Sequence, residues 1–150
     1  MNRFNRLIRC PNKIYRAKFC RGCVIINKLR VLSIALISRA IRWYYHCDIP
    51  YTVDVSGVYF CHKGFGVVIN PQAQFGQGVV IQHRVTIGEI GKGIPVIGDN
   101  VYIGACATIL GGIIIGNNSK IGAGAVVITD VPEGCTAVGV PAKIIKTTNE

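Results

Sequence analysis

A branched aliphatic residue recurs at every sixth position across residues 97–127. An α-helix repeats near 3.6 residues and a strand near 2, so a sustained period of six fits neither element alone. It predicts a solenoid in which each repeat contributes one short strand that packs on its equivalents in neighbouring coils. These anchors are Ile97, Ile103, Ile109, Ile115, Ile121 and Val127. A second series follows four residues after each anchor: Val101, Ala107, Ile113, Ser119, Ala125 and Val131.

The same period extends upstream but is broken twice. It begins near Ile49, continues with Val55 and Cys61 as expected anchors, and resumes two residues late at Ile69. Ten residues, four more than one repeat, then separate Ile87 from Ile97. We therefore expect loops to leave the solenoid at residues 62–66 and 88–95. Insertions in repeat proteins collect on loops, which often carry the functional residues.

Charge is distributed unevenly along the 150 residues. The net charge is +10, and residues 1–46 carry +11 because they contain no Asp or Glu, whereas residues 47–150 carry −1. Apolar residues at helical spacing predict a helix from Val24 to Tyr45, whose longest apolar run is too short to span a bilayer. Three segments are expected: a basic helical cap (1–46), a β-helix domain (47–136) and a C-terminal tail (137–150), in which Pro141 prevents simple continuation of the repeat.

The basic segment has two compatible interpretations. It caps the open end of the solenoid, or it contacts an anionic membrane or a lipid-linked glycan through its basic and aromatic side chains. Charge alone would also permit nucleic acid binding, but no recognition motif supports it, so no nucleic acid partner is expected.

Seven cysteines are scattered along the chain, and no cleavable signal pattern precedes them. Free thiols and a cytoplasmic location, with membrane association left open, are the simplest expectation. Cys20 and Cys23 have a metal-ligand spacing, but no second pair matches it. No metal is therefore expected.

Several motifs resemble the hexapeptide-repeat acyltransferases. They are Ile-Gly-Asp-Asn-Val-Tyr-Ile-Gly-Ala (97–105), Lys-Ile-Gly-Ala-Gly-Ala-Val-Val (120–127), Asp-Val-Pro (130–132) and Gly-Val-Pro-Ala-Lys (139–143). Phe-Cys-His-Lys-Gly-Phe-Gly-Val-Val-Ile (60–69) and Val-Thr-Ile-Gly (85–88) resemble, more narrowly, the serine acetyltransferase branch. The resemblance covers about residues 46–146. It implies a mainly β fold, a left-handed parallel β-helix, and a homotrimer that binds acetyl-CoA between subunits.

Acetyl transfer from a thioester to a hydroxyl needs a base on that hydroxyl, and histidine suits this role at neutral pH. His62 lies at the first predicted loop and matches the catalytic histidine of serine acetyltransferases. Asp48 resembles the aspartate that orients that histidine, although an ordinary turn aspartate is an equal alternative. His83 is a weaker candidate for a role near the acceptor, and His46 is expected to be structural.

The donor side is predicted from small residues in successive turns. Gly104 and Ala105 lie one coil from Gly122 and Ala123, where small side chains would leave room for a pantetheine arm. Taken singly, such residues are more often explained by turn sterics, and only the resemblance makes them a site. Lys143 is expected to meet the phosphates of coenzyme A, with Lys120 or Lys92 as alternatives.

Two departures from the serine acetyltransferase pattern bear on the acceptor. Cys61 stands where that branch has an aspartate for the substrate ammonium, and Gly93-Ile94-Pro95 replaces its Arg-His-Pro. A zwitterionic amino acid would lose both partners, which is costly in a buried site. A sugar of a surface polysaccharide or its precursor is therefore the favoured acceptor, serine O-acetylation in cysteine biosynthesis is the second hypothesis, and a non-catalytic trimeric scaffold is the third.

Overall fold

The computed structural model describes residues 24–91 and 93–146. Helix α1 (Val24–Tyr45) is followed by a stack of short strands. α1 coincides with the helix predicted from the sequence, and none of the helices in the described residues is long and apolar enough to cross a bilayer. The strands are β1 (Val58–Phe60), β2 (Val68–Ile69), β3 (Gln74–Phe75), β4 (Val79–Ile81), β5 (Thr86–Gly88), β6 (Val96–Ile97), β7 (Tyr102–Ile103), β8 (Thr108–Leu110), β9 (Ile114–Ile115), β10 (Lys120–Ile121), β11 (Val126–Val127), β12 (Cys135–Val138) and β13 (Lys143–Lys146).

Up to β11, every third strand joins the same sheet, and β12 then pairs with β10, which gives three parallel faces. The orders are β1-β4-β7-β10-β12, β2-β5-β8-β11 and β3-β6-β9, with β13 added antiparallel to β12. Strand partners in regular coils are 18 residues apart, as in the pairing of Tyr102 with Lys120. Three strands of six residues each therefore complete one turn, and the predicted parallel β-helix is confirmed.

The repeat places its anchors in the interior of the coils. All six, from Ile97 to Val127, are buried. The second series is buried as well, including the polar Ser119. Its hydroxyl Oγ lies 2.7 Å from the carbonyl oxygen of Gly116 and 3.0 Å from that of Pro132, so this buried polar group is hydrogen-bonded.

The first loop begins one residue earlier than the sequence indicated. Phe60, rather than the expected anchor Cys61, is buried in the core and pairs with Ile81. Cys61 is half-buried and opens a short 3-10 turn, Cys61–Gly64. Val58 pairs with Val79, 21 residues later, so three residues are inserted into this coil. The expectation failed because an aromatic residue, and not the adjacent thiol, continues the apolar register.

The three sheets form a triangular prism, and at one of its corners residues in the left-handed backbone region stack in a column. It includes His46 (φ 49°), Gly66 (φ 68°), Arg84 (φ 54°) and Cys106 (φ 59°). The main-chain N–H of Gly66 donates to the carbonyl oxygen of Tyr45 at the end of α1, that of Arg84 to Phe65 O, and that of Cys106 to His83 O. The column therefore connects the end of α1, the first loop and the turn that carries His83.

The C-terminal part of the chain turns back on the last coil. A cis peptide bond joins Val140 to Pro141, and β13 then runs antiparallel to β12. Residues 143–146 thereby cover the edge strand β12, which extends from Cys135 to Val138. An edge that is paired in this way is protected from adding a strand of another chain.

Candidate functional site

The first loop presents His62 to solvent on a constrained backbone. His62 (φ 47°, ψ 34°) and Lys63 (φ 59°, ψ 25°) both adopt left-handed conformations, and Gly64 follows at φ 65°. Two successive non-glycine residues in this region are uncommon and cost free energy, and such strain is concentrated at functional sites. The loop is held by hydrogen bonds from Phe65 N to His62 O and from Gly66 N to Tyr45 O. The exposed imidazole is therefore carried by an ordered turn.

The structure brings the two predicted histidines together. The ring centroids of His62 and His83 are 5.1 Å apart, with the planes at 89°. His83 lies in the turn between β4 and β5, and its carbonyl oxygen accepts a 3.0 Å hydrogen bond from Cys106 N. Its Nδ1 atom is buried without a hydrogen-bond partner. The sequence contained one signal for this contact, since His83 occupies a turn in the coil that follows the insertion.

Asp48 lies in the coil beneath the loop and contacts the helix. Its main-chain N–H donates to Val67 O at 2.8 Å, and its carboxylate Oδ1 lies 2.8 Å from Arg42 Nη2 near the end of α1. Asp48 and His62 both lie within the described residues, and no hydrogen bond joins them. The sequence pattern did not reveal this ion pair because it depends on where α1 ends relative to the first coil.

The two positions that depart from the serine acetyltransferase pattern are both uncharged. Burial raises the pKa of the Cys61 thiol from its ordinary value of 9.0, so the group beside His62 is a neutral thiol at neutral pH. Ile94 in the second loop is partly buried and packs against the core. Neither side chain offers an ionic partner to a charged acceptor.

The predicted donor residues occupy successive coils at one corner. Gly104 N donates to Ile121 O, and Gly124 N donates to Ala105 O, each at 2.8 Å. A methyl group on Gly104 would lie 2.6 Å from Ala123 N, and one on Gly122 would lie 2.7 Å from Val138 Cγ1. The close approach of the coils is therefore sufficient to explain both glycines. Ala123 is exposed and Ala105 is half-buried, so a shallow, small-residue surface remains at this corner.

The lysines considered for the coenzyme phosphates lie on two different parts of the chain. Lys143 begins β13 and pairs in register with Val138, and Lys120 is exposed on β10. Lys92 lies outside the described residues, as do Cys20 and Cys23. Across residues 24–91 and 93–146 no three His, Cys, Asp or Glu side chains gather as a metal site would require.

Comparison with known proteins identifies the repeat. Residues 94–129 match the family described as "Bacterial transferase hexapeptide (six repeats)". A serine acetyltransferase of Helicobacter pylori is 39% identical over 125 residues, which cover 80% of this chain and 73% of the relative.

Solved structures extend the likeness to nearly the whole chain. A Brucella abortus serine acetyltransferase in complex with coenzyme A superposes with a TM-score of 0.78 at 32% identity, over 96% of this chain and 55% of that one. A Neisseria gonorrhoeae serine acetyltransferase in complex with serine gives 0.68 at 34% identity, over 93% and 54%. The chain thus spans about half the length of these two solved relatives.

Proposed function

Because the chain belongs to the hexapeptide-repeat acyltransferases, in their serine acetyltransferase-like branch and with their left-handed β-helix, we propose that it is an acetyl-CoA-dependent O-acetyltransferase. The observation that carries this proposal is the exposed imidazole of His62 on its constrained turn. The scaffold hypothesis assigns no role to a solvent-facing histidine whose ring lies 5.1 Å from that of a second histidine.

In the proposed mechanism His62 is the general base. Its neutral imidazole removes the proton of the acceptor hydroxyl as that oxygen attacks the thioester carbonyl of acetyl-CoA. The carbon–sulfur bond then breaks, and the proton passes from the imidazolium to the coenzyme A thiolate. General base catalysis of this kind contributes about 10²- to 10⁴-fold in rate.

The donor is proposed to lie along the small-residue corner formed by Gly104, Ala105, Gly122 and Ala123. Gly104 N already donates to Ile121 O, and Gly122 N donates to Ala137 O. The glycines therefore contribute through the absence of a side chain, not through free N–H groups. Lys143 is the proposed partner of the coenzyme phosphates, because it is exposed at the end of the stack that carries Gly122.

L-Serine is the acceptor that the comparisons support best. The Helicobacter relative is a serine acetyltransferase, and the Neisseria relative was solved with serine. The sequence interpretation that placed a sugar first is less well supported than the serine alternative. We therefore place serine first and retain a neutral hydroxyl, such as that of a sugar, as the second candidate. The neutral thiol at Cys61 and the aliphatic Ile94 favour this second candidate, since neither can hold an ammonium or a carboxylate.

The decisive experiment measures thiol release from acetyl-CoA with purified protein, first with L-serine and then with a panel of sugars and nucleotide sugars. His62→Ala is assayed beside the wild type and should lose about 10²- to 10⁴-fold in kcat. Release that requires serine confirms the first acceptor, and release only with glycans selects the second. If no acceptor supports thiol release and the protein does not bind acetyl-CoA, the non-catalytic scaffold hypothesis is favoured instead.

Two assembly proposals accompany this function. The first is a homotrimer with the donor corner between subunits, which sedimentation equilibrium tests. The second is a contact between the basic N-terminal segment and anionic lipid. Trp43 is 82% exposed, Tyr44 and Arg39 are exposed beside it, and α1 contains no acidic residue. At low salt, the wild type should pellet with phosphatidylserine vesicles, and Trp43→Ala should remain in the supernatant. Neither protein should pellet with neutral vesicles.

A further inference from the structure

The orientation of an exposed base depends on what its ring contacts. His62 lies on the surface of the first loop, where an imidazole without a neighbour samples several rotamers. The ring contact of His62 in the structure is with His83, at 5.1 Å between centroids and nearly perpendicular planes. Edge-to-face pairs of this kind are a favourable arrangement for aromatic rings.

His83 is fixed from two directions. Its carbonyl accepts from Cys106 in the following coil, and the adjacent Arg84 N–H donates to Phe65 O at 2.8 Å. Phe65 belongs to the loop that carries His62, so the same hydrogen bond joins the two histidine-bearing turns. The backbone that carries His83 is therefore held on both sides. Its half-buried ring, with the Nδ1 atom sealed from solvent, lies beside the more exposed ring of His62.

The carboxylate that the family resemblance assigns to orienting His62 is engaged elsewhere. Asp48 Oδ1 lies 2.8 Å from Arg42 Nη2 in an ion pair whose side chains are 64% and 49% exposed, and that oxygen makes no hydrogen bond, either to Arg42 or to His62. We propose that His83 is the positioning residue of the His62 imidazole in this chain, acting through ring contact in place of the hydrogen bond expected from Asp48. The inference rests on the proposed role of His62 as the base.

The tautomer of His83 follows from the same geometry. A proton on Nδ1 would be a buried donor without an acceptor, which is costlier than a bare lone pair at that position. The proton of the neutral ring therefore resides on Nε2. Ring contact, unlike proton transfer, needs neither nitrogen, so an apolar ring of similar shape should replace His83.

Kinetics of matched variants test this role. His83→Phe keeps a ring, and His83→Leu removes it at similar volume. We expect His83→Leu to lower kcat about 3- to 10-fold with an unchanged KM for acetyl-CoA, and His83→Phe to restore most of the loss. In a His62→Ala background His83→Leu should have no further effect, because the two residues act as a unit. Asp48→Asn should lower kcat less than His83→Leu does.

Three results would overturn the inference. Equal losses in His83→Phe and His83→Leu would assign the role to an imidazole nitrogen. An unchanged kcat in His83→Leu would show that His83 does not position His62. A larger loss of kcat in Asp48→Asn than in His83→Leu would assign the positioning of His62 to the Asp48 carboxylate. Thermal unfolding of each variant separates these outcomes from a general loss of structure.

A second measurement does not depend on activity. The chain has three histidines, so ring resonances of His62 and His83 can be assigned with His62→Gln and His83→Phe. We expect a nuclear Overhauser effect between the two rings, and a His62 ring that changes rotamer in His83→Leu but not in His83→Phe. Absence of the effect in wild type overturns the contact itself. Lack of activity alongside an intact contact would instead overturn the proposed function.

Discussion

Asp99 accepts a 2.7 Å hydrogen bond at Oδ1 from the main-chain N–H of Gln77, which lies one coil earlier at the same corner. Asn117 repeats the arrangement one coil later, since its Oδ1 accepts from Asp99 N at 2.8 Å. Because side chains satisfy main-chain donors between coils here, they reinforce the stacking of the strands.

Removing Asp99 should therefore destabilise the stack. We expect Asp99→Ala to lower the free energy of unfolding by about 0.5–1.5 kcal/mol, because the Gln77 N–H loses this exposed hydrogen bond and must turn to water. Asp99→Asn retains an acceptor oxygen and should lose less than half of that. Urea denaturation at pH 7 measures both, and equal losses in the two variants would contradict the explanation.

The second prediction contrasts two glycines that each follow an anchor. A methyl group at Gly104 would meet main-chain atoms of the next coil, including Ala123 N at 2.6 Å, whereas one at Gly88 would meet only Leu110 Cδ2 at 3.0 Å. Gly104→Ala should cost about 2–3 kcal/mol because the coils must separate, and Gly88→Ala should cost under about 1 kcal/mol because a side-chain tip can move. Denaturant midpoints measure both variants, and a cost at Gly88 equal to that at Gly104 would refute the steric account.

A third prediction compares neighbouring residues of β10. Ile121 is fully buried and Lys120 points outward. We expect Ile121→Ala to cost about 2–5 kcal/mol through lost burial and the cavity left behind. Lys120→Ala should change stability by no more than about 0.5 kcal/mol. Calorimetric unfolding reports both, and a small effect at Ile121 would be incompatible with the inward register.

The fourth prediction concerns alkaline pH. Burial raises the pKa of the Cys47 thiol from 9.0 to about 11 in the folded protein. Between these values the unfolded chain has lost the proton that the native chain keeps, so stability should fall as pH rises from about 9 toward 11. Cys47→Ala removes this contribution, so its melting temperature should decline less steeply over the same interval. Parallel slopes for the two proteins would show that Cys47 does not contribute.

The period of six residues was enough to predict the fold, since the anchors from Ile97 to Val127 all point inward as expected. It was insufficient at the first loop, where Phe60 instead of Cys61 continues the register. The six-residue period placed His83 in a turn of the coil after the insertion. It contains no information about the path of the inserted residues, so it could not predict that the rings of His62 and His83 are in contact. The ion pair of Asp48 with Arg42 could not be predicted either, because Arg42 lies in α1 and the six-residue period does not describe how that helix meets the first coil.

The spacing of the strand partners also bears on how such a chain could form and change. Parallel partners are 16 to 22 residues apart throughout the stack, from Lys120 with Thr136 to Tyr102 with Val80. Each added coil therefore closes a loop of similar length, and its entropic cost does not grow along the chain. Folding can advance by addition of one coil after another. A duplication or deletion of one 18-residue coil would leave every remaining side chain on the same face of the prism.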